Sequence, residues 1–321
     1  MLRYEQRKEI GGDRMFESMF SQMLVLFVII AVGYIVTRAK VFDKNTNRHL
    51  ANLLINVTCP ATVLYAVLNG EHVLSIKELF ILTGIAAGVY FFLVLVAHFM
   101  PKILKVPAQD AGLYRFMTVF SNVAFVGFPL VRAVYGPDAL FYAAIFNMMF
   151  QLFVYTYGVN QITTRPEDKM HGWRIFCQPV LIASILGYIF YITDFQAPTF
   201  IISVLGLLDQ LTSPVSMLVI GCALALVPLK QVFTSWRMYP FVIIRQILVP
   251  LICYLILKPF IENQLVLGLV TIMSMMPVAN IAAAMSAKYD GNQSLAATGI
   301  FISTLFAVPA IPLMMYLLFP G

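Results

Sequence analysis

The chain has 321 residues, of which 60% are apolar and 11% charged, with a net charge of +6 and a mean hydropathy of +0.86. A soluble domain runs at about 45–50% apolar and about 25% charged, and a chain of this size has too little interior to hide the excess. The composition excludes a soluble globule, a disordered chain and a secreted disulfide scaffold, and makes the bilayer the solvent for most of the protein.

Residues 1–18 read as an N-terminal tail with four basic residues in its first fourteen (Arg3, Arg7, Lys8 and Arg14). It lacks an apolar core, so it is no signal peptide, and Met15 is a second candidate start. Ten apolar segments follow, each near the roughly 20 residues that a spanning helix needs. They lie at 19–37, 49–68, 79–99, 113–134, 139–163, 175–193, 200–228, 238–257, 264–286 and 294–318, and are numbered spans 1 to 10. All are too long and too evenly apolar for the strands of a membrane barrel. The predicted fold is therefore an all-α polytopic membrane protein. Residues 164–174 (TRPEDKMHGWR) form the longest polar break and separate spans 1–5 (19–163) from spans 6–10 (175–318).

The loops set the orientation. Those after odd-numbered spans hold thirteen Lys and Arg, among them Arg38, Lys40, Lys105, Arg165 and Arg174; those after even-numbered spans hold three, Lys77, Arg132 and Lys258. Positive charge stays in the cytoplasm, so the odd loops are predicted inside and both termini outside. Trp173 and Trp236 fall just before a span on the inner side, as an aromatic belt requires. The basic tail is the feature at odds with this orientation.

The two halves carry related signals in the same order. Span 2 has Asn56-Val57-Thr58-Cys59-Pro60 and span 7 has Gln210-Leu211-Thr212-Ser213-Pro214. Span 4 has Ser121-Asn122, then Gly127-Phe128-Pro129; span 9 has Ser274-Met275-Met276-Pro277-Val278-Ala279-Asn280. After span 4 comes Tyr135-Gly136-Pro137-Asp138 and after span 9 Tyr289-Asp290-Gly291-Asn292. Because five is odd, two five-span halves insert with opposite orientation, the inverted repeat common in secondary transporters.

Proline inside a helix removes a donor and clashes with the preceding turn. Non-helical backbone at membrane depth survives only inside protein or beside a wet cavity. Gly127 with Pro129 in span 4, and Pro277 in span 9, therefore mark discontinuous helices predicted to cross, with half-helix N-termini turned toward an anionic group. Asn122 and Asn280 beside the breaks, and Asn147 with Gln151 four apart in span 5, supply amide donors and acceptors for a substrate. Pro60 and Pro214 read as kinks. Arg245, alone at the centre of span 8, is read as electrostatic support: it could attract an anion, pair with Asp209 or bind freed carbonyls. Spans 3, 4, 5, 8, 9 and 10 have no central carboxylate, which fits an anion or neutral solute better than a cation.

Cys59, Cys177, Cys222 and Cys253 are far apart, with no CxxC pair, and the four histidines are isolated, so no metal or cofactor is expected. No nucleotide-binding, HExxH or Gly-x-Ser-x-Gly motif occurs, so neither ATP use nor an enzyme is expected, and the basic excess reads as loop charge with no nucleic-acid partner.

Residues 16–318 resemble the auxin efflux carrier family, in its prokaryotic branch. The resemblance rests on Asn122 with Gly127-Phe128-Pro129-Leu130, Tyr135-Gly136, Arg245 with Pro250, Pro277 with Asn280, and Ser303-Thr304 with Pro309 and Pro312. Ala124 stands where the common motif has Gly. The resemblance implies ten spans in two inverted halves, similar to bile-acid symporters and sodium/proton antiporters. It also implies a scaffold of spans 1, 2, 6 and 7, a mobile unit of the others, and Asn122, Pro129 and Pro277 at the crossover near the substrate. It implies carriage, as efflux, of an auxin-like or other small carboxylic acid across the cell membrane, and a homodimer packed through the scaffold. The alternatives are a passive channel or facilitator for organic solutes and a sensor that does not transport. A cysteine introduced into residues 164–174 is expected to react with an impermeant thiol reagent only from the cytoplasmic side; labelling from outside reverses the topology.

Overall fold

The computed structural model describes residues 12–69, 75–163, 177–226, 234–289 and 291–319. The first eleven residues of the tail, the 164–174 loop with Trp173, and Asp290 lie outside the described residues. The described chain is almost wholly helical. Six helices are long and apolar enough to cross a membrane: Lys44–Leu68, Ile76–Ile103, Leu140–Ile162, Thr199–Ala225, Met238–Leu257 and Gln293–Leu318. Four shorter apolar helices, Leu24–Arg38, Val123–Tyr135, Pro179–Thr193 and Gln264–Met275, fall in spans 1, 4, 6 and 9.

The ends of the helices differ from the hydropathy reading where polar caps act. Span 1 is helical from Gly12, inside the stretch read as tail. Span 2 begins at Lys44, ahead of its apolar run, because the Asp43 carboxylate accepts from Thr46 N and Thr46 Oγ1, both at 2.7 Å. The same two bonds hold the Asp43 carboxyl below its usual range. Span 3 starts at Ile76 behind a capping box, in which Ser75 Oγ accepts from Glu78 N at 3.2 Å and Glu78 Oε2 accepts from Ser75 N at 2.7 Å.

Proline shapes the helices in a recurring way. A five-residue π turn ends two residues before Pro60 (Leu54–Thr58), before Pro129 (Val123–Gly127) and before Pro250 (Ile244–Leu248). A proline ring clashes with the carbonyl four residues back and offers it no donor. Widening the turn to i→i+5 moves that carbonyl aside. Pro214, by contrast, lies within the uninterrupted helix Thr199–Ala225.

Spans 1 and 7 approach backbone to backbone. A Cβ at Gly33 would lie 2.6 Å from Leu218 O, and one at Gly221 only 2.0 Å from Ile30 O. Small residues allow such contact, which is how helices associate in lipid. Span 2 packs on spans 6 and 7, with the Thr62 and Thr212 hydroxyls 2.9 Å apart. Span 3 packs on spans 4 and 5, where Tyr90 stacks on Phe153 at 5.2 Å. Spans 8, 9 and 10 pack together, and Tyr254 Oη donates to Leu318 O at 3.0 Å. Outward faces carry exposed apolar side chains such as Ile35, Phe91, Phe200 and Leu207, as lipid contact demands. Gly221→Ala overpacks the closest of these contacts and is expected to cost about 1–3 kcal/mol, read as a lowered thermal midpoint in detergent; an unchanged midpoint would refute the close approach.

Candidate functional site

The helices of spans 4 and 9 both stop at mid-length. Span 4 is helical over Ala108–Val119, leaves the helix at residues 120–122, and resumes over Val123–Tyr135. Span 9 is helical over Gln264–Met275, leaves the helix at 276–280, and resumes over Ile281–Lys288. The two irregular segments pair as one antiparallel bridge, Ser121 with Val278. Asn122 N donates to Pro277 O at 2.8 Å and Ala279 N donates to Phe120 O at 3.0 Å. The break in span 4 thus lies before Gly127 and Pro129, which sit in the resumed helix and not at the hinge expected of them. The reason is visible at Phe125. Pro129 cannot donate to the carbonyl four residues back, and that carbonyl, Phe125 O, accepts from Ser216 Oγ of span 7 at 3.1 Å. The proline's disturbance is thereby absorbed without leaving the helix.

Span 8 braces the crossing. Arg245 is fully buried. Its Nε donates to Met117 O at 3.2 Å, its Nη1 to Ser274 O at 2.8 Å, and its Nη2 to Ser121 Oγ. Gln246 Nε2 donates to Met275 O at 3.3 Å. Met117, Ser274 and Met275 lie in the last turns of the first half-helices, where carbonyls lack intrahelical partners. From span 10, Ser303 Oγ accepts from Val278 N at 3.0 Å. Arg245 therefore binds freed carbonyls and does not meet Asp209. That carboxylate instead pairs at 2.5 Å with Arg132, which belongs to the last turn of span 4 and not to a loop.

Several buried polar atoms at or near the crossing have no hydrogen-bond partner: Asn122 Nδ2, both amide atoms of Asn280, Gln246 Oε1 and Thr304 Oγ1. Buried polar groups are nearly always paired, so such a cluster marks a place where a polar ligand or water is wanted. Asn122 and Asn280 each follow the bridged residue of their own segment, at opposite ends of the bridge. Asn147 is buried with Nδ2 unpartnered. Span 5, which carries it and Gln151, packs on the start of the resumed span 4 helix, and Phe150 meets Phe120 edge-on at 5.6 Å. No hydrogen bond described ties Asn147 or Gln151 to the breaks. A cavity beside Pro277 is lined by Leu26, Val126, Met217, Thr304 and Val308, hence by spans 1, 4, 7, 9 and 10. Sequence reasoning missed Ser121, Gln246, Ser216 and Ser303 as partners of the breaks; the adjacent polar pairs Ser121-Asn122, Arg245-Gln246 and Ser303-Thr304 in mid-span were the available signal. Among the described residues no three His, Cys, Asp or Glu side chains converge as a metal site would need.

The sequence matches the family model described as membrane transport protein in two successive stretches, residues 18–172 and 168–315. It is similar to an uncharacterized transporter of Methanocaldococcus jannaschii, 24% identical over 303 residues, covering 91% of this chain and 96% of the relative. It is also similar to an uncharacterized transporter of Methanothermobacter thermautotrophicus, 24% identical over 299 residues, with coverage of 91% and 95%.

Arg245→Met leaves two carbonyls and a hydroxyl without donors, so a stability loss of about 2–5 kcal/mol is expected, with Arg245→Lys intermediate because an ammonium lacks the fork. Thermal unfolding in detergent checks this, and a wild-type midpoint for Arg245→Met would remove the bracing role.

Proposed function

The chain belongs to the membrane transport protein family, the auxin efflux carriers, and we propose that within it this protein is a secondary transporter that exports a small organic anion by alternating access around the crossing. The observation that carries this reading is the asymmetric capping at the crossing, where Arg245 and Gln246 donate to the last turns of both first half-helices. Each helix end carries about half an elementary charge, negative at the C-terminus and positive at the N-terminus. One arginine offsets the two negative ends. The two N-termini, at Val123 and Ile281, then leave about one positive charge facing the crossing, beside the open amides of Asn122 and Asn280. That sum suits a monovalent anion such as a carboxylate, and among the described residues the buried carboxylate, Asp209, is paired with Arg132 instead.

On this reading the protein is two inverted five-span halves. Spans 1, 2, 6 and 7 form a scaffold, and spans 3–5 and 8–10 form a unit that carries the site past it. The close packing of spans 1 and 7, and of span 2 on spans 6 and 7, supports that division. Asn122 and Asn280 hold the anion, Asn147 and Gln151 line its path, Pro277 lies in the span 9 break, and Gly127 and Pro129 shape the resumed helix of span 4. Proteoliposomes presented with a panel of carboxylates, with pH, sodium and voltage varied separately and both flux directions read, test the proposal. Asn122→Ala is expected to cut flux at least about tenfold, the scale of one hydrogen bond to a charged group, with expression unchanged. Wild-type flux would remove Asn122 from the site, and flux of cations alone would overturn the assignment.

A further inference from the structure

The proposed boundary between scaffold and mobile unit carries a buried ion pair to which neither the composition nor the family match assigns a role. Asp209 is 3% exposed and sits ten residues after Thr199, about 15 Å along span 7 at 1.5 Å per residue. Span 7 holds no Lys or Arg of its own. The carboxylate takes its cation from another span, as Asp209 Oδ2 accepts from Arg132 Nη2 at 2.5 Å while Oδ1 has no partner. Around the pair, Gly206 packs on the Tyr65 ring one turn away, and the Thr62 and Thr212 hydroxyls meet one turn on the other side. By the loop charges, this is the outer half of the molecule.

Resting on the two-unit reading above, we propose that Arg132 and Asp209 form an outer latch, which holds the resumed helix of span 4 against span 7 and parts when the site opens to the outside. The neighbouring hydroxyl ties differ from it in kind. Ser216 Oγ, bonded to Phe125 O across the boundary, also lies 2.8 Å from Ser213 O of its own helix. Thr83, bonded to Tyr188 between spans 3 and 6, also donates to Leu79 O at 2.8 Å. When the units separate Phe125 O loses its donor, but it is neutral, and each hydroxyl keeps an acceptor on its own helix. Asp209 fares differently: a small separation strands its charge in an apolar wall, whereas a full opening lets water reach both ions. The halfway position is therefore disfavoured, and the pair gives the mouth two discrete states.

The test reads access to the cavity without needing a substrate. Val308, which lines the cavity beside Pro277, is changed to cysteine in the full chain, with the exposed Cys177 replaced by serine. An impermeant maleimide is applied to intact cells and to inside-out vesicles. With the native pair, labelling from outside is expected to be slow. Arg132→Gln and Asp209→Asn are each expected to raise the outside rate about tenfold, as when a contact specific to one of two states is lost, and the exchange Arg132→Asp with Asp209→Arg to restore the slow rate. Arg132 is part-exposed, so Arg132→Gln carries the test if Asp209→Asn fails to assemble by gel filtration. Fast labelling with the native pair, unchanged rates in the single variants, or an exchange variant as fast as the singles would overturn the latch. If labelling responds but no carboxylate moves in proteoliposomes, the latch stands and the transport reading falls; active transport with unresponsive labelling gives the reverse.

Discussion

A peptide backbone that leaves the helix inside hydrocarbon must find a partner for every donor and acceptor it frees, because each orphan costs several kcal/mol. Everything central in this protein follows from meeting that demand at two places at once. The breaks in spans 4 and 9 satisfy each other through one antiparallel bridge. The carbonyls at the ends of their first halves go to Arg245 and Gln246 of span 8, and Val278 N goes to Ser303 of span 10. Four spans are thereby tied into one unit by a defect that none could carry alone. The choice of a cation as the brace has a second effect. On the proposed reading it offsets the negative helix ends and leaves the positive ones facing the crossing, so the repair of the backbone would also set the sign of the potential there.

The same demand operates more gently at the prolines. Pro60, Pro129 and Pro250 each follow a π turn that carries the unpaired carbonyl away from the ring. At Pro129 the remaining acceptor is taken by Ser216, a side chain from span 7. A local fault in one helix thus becomes a contact between two, and it becomes one at the level of the cavity. Proline in this chain therefore marks where neighbouring spans are consulted, and not necessarily where the helix stops.

That distinction explains what could and could not be read from sequence. Apolar runs near 20 residues located the apolar helices, six of them long enough to cross a membrane and four shorter, because burial in lipid acts on every residue of a run. Which spans break was legible from Gly127, Pro129, Pro277 and the two asparagines. Where span 4 breaks was not, because the strongest signal, Pro129, is accommodated in the helix, while the break at 120–122 holds ordinary residues (Phe120, Ser121, Asn122) whose irregular path is imposed by pairing with span 9. Arg245 was visible as a costly charge, but its partners are backbone carbonyls, which no sequence pattern reports. The Arg132–Asp209 pair was hidden for another reason. Arg132 stands near a span end, where charge is cheap, and its partner is 77 positions away. Polar starts such as Asp43 with Thr46 lengthened helices beyond their apolar cores, since capping acts on the backbone and hydropathy does not see it.

The distribution of directed bonds also bears on how the molecule could move. Around the crossing, buried hydrogen bonds join spans 4, 8, 9 and 10 at fixed geometry, and shifting any of them orphans a backbone group. Toward spans 1, 2, 6 and 7 the contacts are of a different character. They are largely apolar packing, which re-forms in a new register at little cost, together with the Ser216 and Thr83 hydroxyls, which each have an acceptor on their own helix. Sliding along this second surface takes the Ser216 donor from Phe125 O but leaves the hydroxyls themselves paired, whereas deforming the first orphans several backbone groups at once. On the proposed two-unit reading, a protein built this way would yield between its units before it yields within the crossing, which would move as one piece. On the same reading the Arg132–Asp209 pair, for which span 7 holds no Lys or Arg of its own, is where a barrier between the two positions would be concentrated.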